Sequence, residues 1–277
     1  MHFSDITPLI LTFNEAPNLR ALLSRLDWAS RVVIIDSGST DETLSIAAEF
    51  PSVIVLHRDF DHPTNQWAFG LSQVATAWTL SLDADYVLPH DFADHVQRLD
   101  PATAIGGFET RFRYCVDGHP LRATLYPPRT VLFRTAESRF YRDGHTQRVE
   151  VEGDIEVLPG YVEHDDRKPL ARWCASQLRY ASAEADKLCR EPFAQLDWKD
   201  RLRRWYVVAP PLTFFYCLFQ KGLLLDGWPG LYYTMQRVYA EMLLSLELLG
   251  RKVRRSLPRR SKPLAQSLPS RKTECGT

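Results

Sequence analysis

Apolar runs alternate with amphipathic stretches along the first hundred residues of the chain. Four mostly apolar runs predict buried strands, at 6–13, 31–36, 53–57 and 78–85. Between these runs, apolar positions recur every three or four residues, which is typical of helices that cover a sheet. Ser39 and Glu42 stand at the spacing of a capping box, which predicts that a helix begins there. The alternation predicts an α/β fold with a mostly parallel central sheet flanked by helices.

The pattern changes after residue 100. Residues 104–134 contain longer, less regular apolar stretches that predict strands, with a turn at Asp117–Gly118. Apolar positions at helical spacing then predict amphipathic helices over 168–190 and 230–249. From Arg251 onward the chain is basic and rich in Ser and Pro, which is typical of a disordered tail.

Composition narrows the classes of protein. A chain of 277 residues that is 45% hydrophobic can form one large domain with an appendage. The 34 basic and 34 acidic residues balance, so no nucleic-acid partner is expected. The five cysteines form no C-x-x-C pair, which argues against a disulfide framework or a zinc knuckle.

Two aspartates, Asp83 and Asp85, follow the fourth predicted strand. Other predicted strands also end in polar residues, and ligands of open parallel sheets bind beyond the carboxyl ends of the strands. Two carboxylates so close repel each other unless a cation lies between them. Oxygen ligands suit Mg²⁺ or Mn²⁺, which commonly bridge carboxylates to substrate phosphates. In this setting the pair predicts a metal–diphosphate site, although an isolated Asp-x-Asp is usually a solvated loop.

Four segments carry a resemblance to a known family. TFNEAPNL, VVIIDSGSTDET, NQWAFGL and LSLDADYVLP stand in the order and spacing of family 2 glycosyltransferases with the GT-A fold. Residues 104–170 contain LYPPRTVLFR, DGHTQRVEV and EHDDRKPLARW, and resemble the branch that glycosylates lipopolysaccharide core or related glycolipids. The resemblance implies a metal-dependent, inverting transfer of a hexose from a nucleotide sugar, with a UDP-sugar expected, to a lipid-linked saccharide.

The resemblance also implies roles for individual residues. Asp36 is expected to hold the uracil or ribose, and a late histidine can complete a metal shell in this fold. The expected metal ligands for Mg²⁺ or Mn²⁺ are Asp83, Asp85 and His164. The expected nucleotide-sugar contacts are Thr12, Asn14, Glu15, Asp36, Ser37, Gly38, Asn65, Gln66, Asp83 and Arg167. Arg129 and Arg134 are equally well interpreted as phosphate contacts or as ordinary surface residues.

The residue that accepts the proton of the incoming hydroxyl is less clearly marked. Relatives often carry His-Glu in the later part of the domain, whereas here His145 is followed by threonine. Asp143 is the first choice for the base, with His145 beside it. The other acids that stay open are Asp165, Asp166, Glu150 and Glu152.

These expectations divide the chain. A GT-A domain is expected at 1–165, with a nucleotide-sugar half at 1–100 and an acceptor half at 101–165. A helical extension follows at 166–250, and a basic tail at 251–277. No apolar run reaches the roughly 20 residues of a spanning helix. However, 207–225 joins aromatic and apolar residues to basic neighbours, which favours either peripheral binding to the inner leaflet of a membrane or packing on the protein.

Two other functions remain open at this point. A sugar nucleotidyltransferase shares a metal-binding α/β sheet, but it normally has a glycine-rich basic loop after the first strand, and TFNEAPNL has neither glycine nor lysine. A non-catalytic, membrane-associated nucleotide-sugar-binding protein is favoured by the missing His-Glu carboxylate. The acidic residues Asp36, Asp83 and Asp85 argue against it.

Overall fold

The computed structural model describes residues 1–100, 104–143 and 146–257. The strands in chain order are β1 (Ile6–Thr12), β2 (Val32–Asp36), β3 (Val53–His57), β4 (Trp78–Asp83), β5 (Tyr86–Val87), β6 (Ile105–Thr110), β7 (Phe112–Val116), β8 (His119–Pro120), β9 (Arg129–Arg134), β10 (Ser138–Asp143), β11 (Thr146–Val151), β12 (Asp154–Val157) and β13 (Val162–His164). The helices are α1 (Ala16–Leu23), α2 (Thr43–Ala48), α3 (Pro63–Ser72), α4 (Phe92–Gln97), α5 (Leu170–Arg190), α6 (Trp198–Arg203), α7 (Ala209–Phe215) and α8 (Gly227–Ser256).

Within the described residues, seven strands form the central sheet in the order β12-β6-β9-β4-β1-β2-β3. β4, β1, β2 and β3 are parallel to one another, and β9 runs antiparallel between β4 and β6. All five residues of β2 are buried, as are most of those of β1, because both strands lie inside the sheet with a layer of side chains on each face. The predicted α/β class and mostly parallel sheet are confirmed.

The region after residue 100 contributes strands to three sheets. The central sheet is extended by β6, β9 and β12. A smaller sheet consists of β7, β8 and β13 together with β5, which precedes residue 100. The third sheet is a hairpin of β10 and β11. The predicted turn joins β7 to β8, with positive φ angles of 49° at Asp117 and 77° at Gly118. This left-handed pair is the geometry that two-residue hairpin turns favour.

The predicted capping box is wrong. α2 begins at Thr43, and Glu42, the residue before it, makes no side-chain capping hydrogen bond. Ser39 lies too early to cap this helix, and its hydroxyl donates to Asp36 at 2.5 Å instead. The carboxylate of a neighbouring strand end competes successfully for the serine, which sequence spacing alone does not reveal.

The C-terminal helices pack on one another. Ala185 and Leu188 of α5 are fully buried against Leu244 and Leu248 of α8. α8 continues past the predicted boundary at residue 250, because Arg251 is paired with Glu247 at 2.9 Å and with Asp186 at 2.6 Å. The rest of the predicted tail, 258–277, lies outside the described residues. Across the described ranges, no helix has both the length and the apolar character needed to cross a bilayer.

The segment 207–225 folds into short helical pieces. α7 is followed by a π-helical turn, Tyr216–Gln220, and a 3₁₀ turn, Leu223–Asp226. Cys217 and Leu223 are buried, so one side of the segment packs on the protein. The other side leaves large apolar side chains exposed, and these are Leu212, Phe215, Phe219, Leu224 and Leu225.

Candidate functional site

The ends of three parallel strands lie side by side. Thr12, the last residue of β1, is in register with Asp36 of β2. On the other side of β1, Leu11 is in register with Asp83 of β4. The three strand ends that sequence reasoning selected therefore meet at the carboxyl edge of the sheet, where open α/β sheets bind ligands.

Asp36 organises the loop that follows β2. Its carboxylate accepts from the Thr12 hydroxyl at 2.8 Å, from the Ser39 hydroxyl at 2.5 Å, and from the backbone N–H groups of Gly38 and Ser39, each at 2.9 Å. Burial raises the pKa of Asp36, but the hydrogen bonds from Ser39, Thr12 and Gly38 outweigh burial and hold that pKa below its usual value. Asp36 therefore stays ionised and fixes the loop.

Asn14 ties the loop after β1 to the loop after β2. Its side-chain oxygen accepts from the N–H of Thr40 at 2.7 Å and of Asp41 at 3.3 Å, and its own N–H donates to the Ser39 hydroxyl at 2.8 Å. Asn14 adopts a positive φ of 54°, which asparagine tolerates better than most residues. Sequence reasoning selected Asn14 but missed Ser39, whose role depends on two loops meeting.

Of the two polar neighbours on α3, Gln66 supports the site and Asn65 faces away from this loop. Gln66 is buried, donates to the Ser37 hydroxyl at 2.8 Å and accepts from Arg58 at 2.7 Å. Asn65 is exposed and donates to Asp61 at 2.8 Å. Gln66 therefore orients Ser37, one of the predicted nucleotide contacts.

A second cluster surrounds the ammonium group of Lys168. Its Nζ lies 3.0 Å from Glu15 Oε1, 3.3 Å from Asp85 Oδ2 and 3.5 Å from Asp166 Oδ1. On the other side of Asp85, Oδ1 lies 3.3 Å from His164 Nε2. Sequence reasoning selected Arg167 as the basic contact, but the structure places the adjacent Lys168 among the carboxylates.

The charges in this cluster support one another. Burial raises the pKa of Asp85, but His164 and Lys168 outweigh burial and hold it well below its usual range. Burial lowers the pKa of His164, and the charge of Asp85 reverses this and raises it. The pKa of Lys168 is likewise raised by Asp85 and Glu15 in spite of burial. Asp85 is therefore an ionised carboxylate that lies between the imidazole of His164 and the ammonium of Lys168.

Two residues at the start of the helical extension complete the site. Lys168 lies just before α5, and Arg172 in its first turn donates to the backbone carbonyls of Phe13 and Asn14. Arg172 also lies 3.7 Å from Glu15. Residues 166–172, which the sequence assigned to the extension, are thus part of the site.

Asp83 points toward a different partner. Its carboxylate lies 3.7 Å from Arg129, whose guanidinium stacks over the ring of Tyr126 at 4.7 Å. Arg134 stacks over Trp78 at 4.8 Å and donates to a backbone carbonyl, away from these carboxylates. Of the two arginines left open by the sequence, Arg129 is the one at the site.

The predicted three-residue metal shell does not form as such. Across residues 1–100, 104–143 and 146–257, no group of three His, Cys, Asp or Glu side chains comes together to hold a metal. Asp85 and His164 do fit as a pair. His164 Nδ1 is buried and has no hydrogen-bond partner in the described part of the chain, while the facing Asp85 Oδ1 contacts only His164 Nε2 there, at 3.3 Å. A carboxylate and an imidazole can provide the protein ligands of Mn²⁺ or Mg²⁺ when phosphate oxygens supply the rest.

Asp165 braces the site, and Arg167, which is paired with it, also lines a cavity together with Lys168. Asp165 is buried and accepts from the N–H of Gly118 at 3.2 Å and from Arg167 at 2.8 Å. The N–H of Asp165 donates to the carbonyl of Asp85 at 3.1 Å. Both oxygens of Asp165 are thus engaged, which argues against its expected role as base, and Arg167 is turned toward Asp165.

Asp166 is placed differently from Asp165. It lines a cavity between β7, α5 and α8, together with Lys168, Tyr114, Trp173 and Tyr232. Its Oδ1 accepts from the backbone N–H of Lys168 at 3.2 Å. Among the acids that the sequence left open, Asp166 therefore lies beside both the Lys168 cluster and this cavity, whose volume is about 70 Å³.

The remaining base candidates lie on the hairpin of β10 and β11. His145 lies outside the described residues, and for Asp143 only the backbone at the end of β10 is described. Their assignment stays a prediction. Glu150 is paired with Arg139 at 2.6 Å on the exposed part of the hairpin, so its carboxylate is engaged there. The carboxylate of Glu152, just after β11, is not assigned a role.

Glu15 gives the site a pH dependence that can be measured. Burial raises the pKa of Glu15 from 4.5 to about 7, although Lys168 opposes the shift. Between these values the folded chain binds the proton and the unfolded chain does not, so this carboxyl lowers the free energy of unfolding as pH rises. In denaturant titrations in chelator, Glu15→Gln should gain stability relative to wild type, by up to about 2 kcal/mol, from about pH 5 to about pH 8. A difference that stays constant over this range would contradict the assigned pKa.

Comparison with known proteins identifies the class of enzyme. The family model for glycosyl transferase family 2 matches residues 9–148, which is half of the chain. The matched residues contain the strand ends that carry Thr12, Asp36 and Asp83, and the chain is a glycosyltransferase. The chain belongs to glycosyl transferase family 2, as its motifs predicted.

Individual relatives are more distant. An uncharacterized glycosyltransferase of Rickettsia felis is 30% identical over 93 residues, which is 33% of this chain and 32% of the relative. The match thus spans about a third of that protein's length. The lipopolysaccharide core biosynthesis glycosyltransferase LpsC of Rhizobium meliloti is 21% identical over 268 residues, covering 91% of this chain and 95% of LpsC.

Solved structures show similarity at low identity. S. aureus TarS 1–349 in complex with UDP is 14% identical, covers 92% of this chain and 93% of its own, and gives a TM-score of 0.43. Glucosyl-3-phosphoglycerate synthase from Mycobacterium tuberculosis, in complex with Mn²⁺, UDP and phosphoglyceric acid, is 14% identical, covers 67% and 78%, and gives 0.44. These values are too low to transfer ligands or residue roles to this chain.

Proposed function

We propose that the protein is a metal-dependent, inverting glycosyltransferase that moves a hexose from a UDP-sugar to a lipid-linked saccharide. The observation that carries this proposal is the buried pair of Asp85 and His164 at the carboxyl edge of the sheet, 3.3 Å apart. Asp85 lies in a setting that keeps it ionised, and His164 Nδ1 is buried and has no hydrogen-bond partner among the described residues. Such a pair supports a divalent cation that is shared with a diphosphate.

In this proposal the donor lies along the loops that Asp36 and Asn14 organise. Asp85 and His164 hold Mg²⁺ or Mn²⁺, which when bound supplies the positive charge that stabilises a departing diphosphate. Lys168 keeps Asp85 and Glu15 in place, because its ammonium lies within 3.3 Å of both carboxylates. Arg129 lies 3.7 Å from Asp83. In this proposal Asp83 contacts the donor and is not a metal ligand.

We assign the proton transfer to Asp166. As the acceptor oxygen bonds to the anomeric carbon, its proton passes to the Asp166 carboxylate, and the bond from that carbon to the diphosphate breaks with its electron pair leaving on UDP. The position of Asp166 supports this role, because it lines a cavity and lies 3.5 Å from the ammonium that also contacts Asp85. Asp143 remains the alternative that the sequence favours.

The acceptor class rests on a relative and on the surface of the chain. LpsC is described as a lipopolysaccharide core biosynthesis glycosyltransferase and aligns along nearly the whole chain, which supports a lipopolysaccharide-type saccharide as acceptor. Exposed Leu212, Phe215 and Phe219 next to Lys221 support peripheral attachment of 207–225 to the cytoplasmic face of a membrane. A lipid-linked acceptor would be met at that surface.

The proposal is tested by measuring UDP release from a panel of UDP-sugars with Mn²⁺, with and without a glycolipid acceptor. Acceptor-stimulated release that stops in chelator is expected. Pyrophosphate formed from UTP would instead indicate a sugar nucleotidyltransferase. Donor binding without turnover on any glycolipid would indicate a non-catalytic binding protein.

A further inference from the structure

The last helix carries an apolar face that is largely exposed among the described residues. Six large side chains recur at intervals of four and three residues along α8, so they lie in one line on the helix. Their exposure is high, with Trp228 at 82%, Met235 at 51% and Leu246 at 62%. This outer stripe consists of Trp228, Tyr232, Met235, Tyr239, Met242 and Leu246.

The outer stripe is not the face that holds the helix on the protein. The buried side chains of α8 include Tyr233, Leu244 and Leu248, which lie on the opposite side at about 100° per residue. One edge of the stripe touches α5, where the rings of Tyr239 and Trp173 are 5.8 Å apart. α8 is therefore apolar on two sides, one used inside the protein and one directed outward.

Charge along α8 favours an anionic partner. The acidic residues of Gly227–Ser256 are Glu241 and Glu247, and both are neutralised within the protein, by Arg203 at 2.7 Å and by Arg251 at 2.9 Å. The C-terminal end of the helix instead exposes basic side chains, and these are Lys252, Arg254 and Arg255. The helix thus has aromatic residues at one end, and at the other end it has cations that pair with no acidic residue of the described chain. This arrangement matches the surface of an anionic bilayer.

The stripe also leads to the site. Tyr232 belongs to the outer stripe and lines the cavity that contains Asp166 and Lys168. Beyond Trp228, the exposed side chains of Leu224 and Leu225 continue the apolar surface. A surface that carries the acceptor would therefore meet the protein beside the cavity that holds the assigned base.

We propose that the outer stripe of α8 is the principal membrane-docking face of the protein, and that the acceptor's sugar approaches the site past Tyr232, beside the Asp166 cavity. The docking face stands on exposure and charge alone, while the entry route rests on the function proposed above. The protein then lies with α8 along an anionic lipid surface and with its sheet edge directed at headgroup level.

A second copy of the chain is the competing occupant, because the four-three spacing also suits a coiled coil. The composition argues against it. Tyr232 and Tyr239 are bulky for a two-helix seam, and the positions beside the seam are the apolar Leu231 and Val238 rather than charged pairs. A face this wide and this uncharged at its flanks fits a lipid surface better than a second helix.

The test is vesicle co-sedimentation without substrates, using phosphatidylcholine vesicles with and without phosphatidylglycerol. The double variant Met242→Glu/Leu246→Glu should partition at least about tenfold more weakly than wild type onto the anionic vesicles. The matched control is Ile155→Glu on β12, a residue of similar exposure at 48%, which should bind as wild type does. Replacing Lys252, Arg254 and Arg255 by glutamine should weaken binding to anionic vesicles only.

Equal vesicle binding by the double variant and wild type would overturn the proposal. So would a concentration-dependent dimer of wild type in sedimentation velocity that the double variant abolishes, because a second copy would then cover the stripe. Unchanged thermal unfolding of the variants excludes a folding defect. Vesicle binding is measured without donor, so it is independent of catalysis. Weaker vesicle binding by the double variant would therefore support the docking face even if the enzyme released no UDP in the activity assay. An absence of UDP release would contradict the proposed function but not the docking face.

Discussion

Replacing Asp85 by asparagine is expected to lower kcat for sugar transfer by about 10³-fold and to weaken Mn²⁺ binding at least tenfold. The amide keeps the size of the side chain and removes the negative charge that the cation needs. Asp85 is buried between His164 at 3.3 Å and Lys168 at 3.3 Å, so no water-exposed carboxylate stands ready to replace it at that position. The measurements are UDP release under saturating donor and Mn²⁺ titration by calorimetry.

Asp83→Asn is the matched comparison for this variant. Asp83 lies two residues earlier, is more exposed and contacts Arg129 at 3.7 Å instead of the metal pair. It should raise KM for the donor while leaving Mn²⁺ affinity within about twofold of wild type. Full turnover in Asp85→Asn, or an equal loss of Mn²⁺ affinity in both variants, would show that the metal lies elsewhere.

The strands and their polar ends could be predicted from the sequence because both are local properties. β1, β2 and β4 are continuous apolar runs, and a parallel sheet places all their carboxyl ends on one edge. Thr12, Asp36 and Asp83 therefore meet where the sequence placed them. The turn at Asp117–Gly118 was predictable for the same reason, since its conformation depends on those two residues.

The contacts of Lys168 could not be predicted in the same way. Lys168 is far along the chain from Glu15 and Asp85, yet its ammonium contacts both carboxylates. The contact forms because β13 pairs with β5 at His164, and the chain then continues through Lys168 into α5. Arg167 is paired with Asp165, while the ammonium of the adjacent Lys168 lies among the carboxylates, and the donor contact expected of Arg167 stays a prediction. The failed capping box at Ser39 has a similar origin, because Asp36 claims the hydroxyl.

These differences change how the extension is understood. The sequence separated a catalytic domain at 1–165 from a helical appendage, whereas Lys168 and Arg172 bind directly to residues of the loop after β1. The helix α8 that carries the outer stripe packs on α5, and the first turn of α5 holds Arg172 against the loop after β1. If α8 docks on a membrane as proposed, α5 links the docked face to the residues around the site.

Asp166→Asn is expected to lower kcat by about 10²- to 10⁴-fold while changing KM for the donor by less than about threefold. A base acts on the acceptor hydroxyl in the transition state, so its loss slows the chemical step and leaves donor binding intact. Asp166 is suited to this role because it faces the cavity, while the oxygens of its neighbour Asp165 are engaged by Gly118 and Arg167.

The control for this prediction is Asp143→Asn, made in the same background and assayed with the same acceptor. If Asp166 is the base, Asp143→Asn retains turnover near the wild-type value, and Asp166→Glu recovers part of the activity that Asp166→Asn loses. The pH–rate profile adds a second readout, because removing the base abolishes the acidic limb of kcat, whereas a structural defect lowers the rate at every pH. A large loss in Asp143→Asn with full turnover in Asp166→Asn would move the proton transfer to the β10–β11 hairpin.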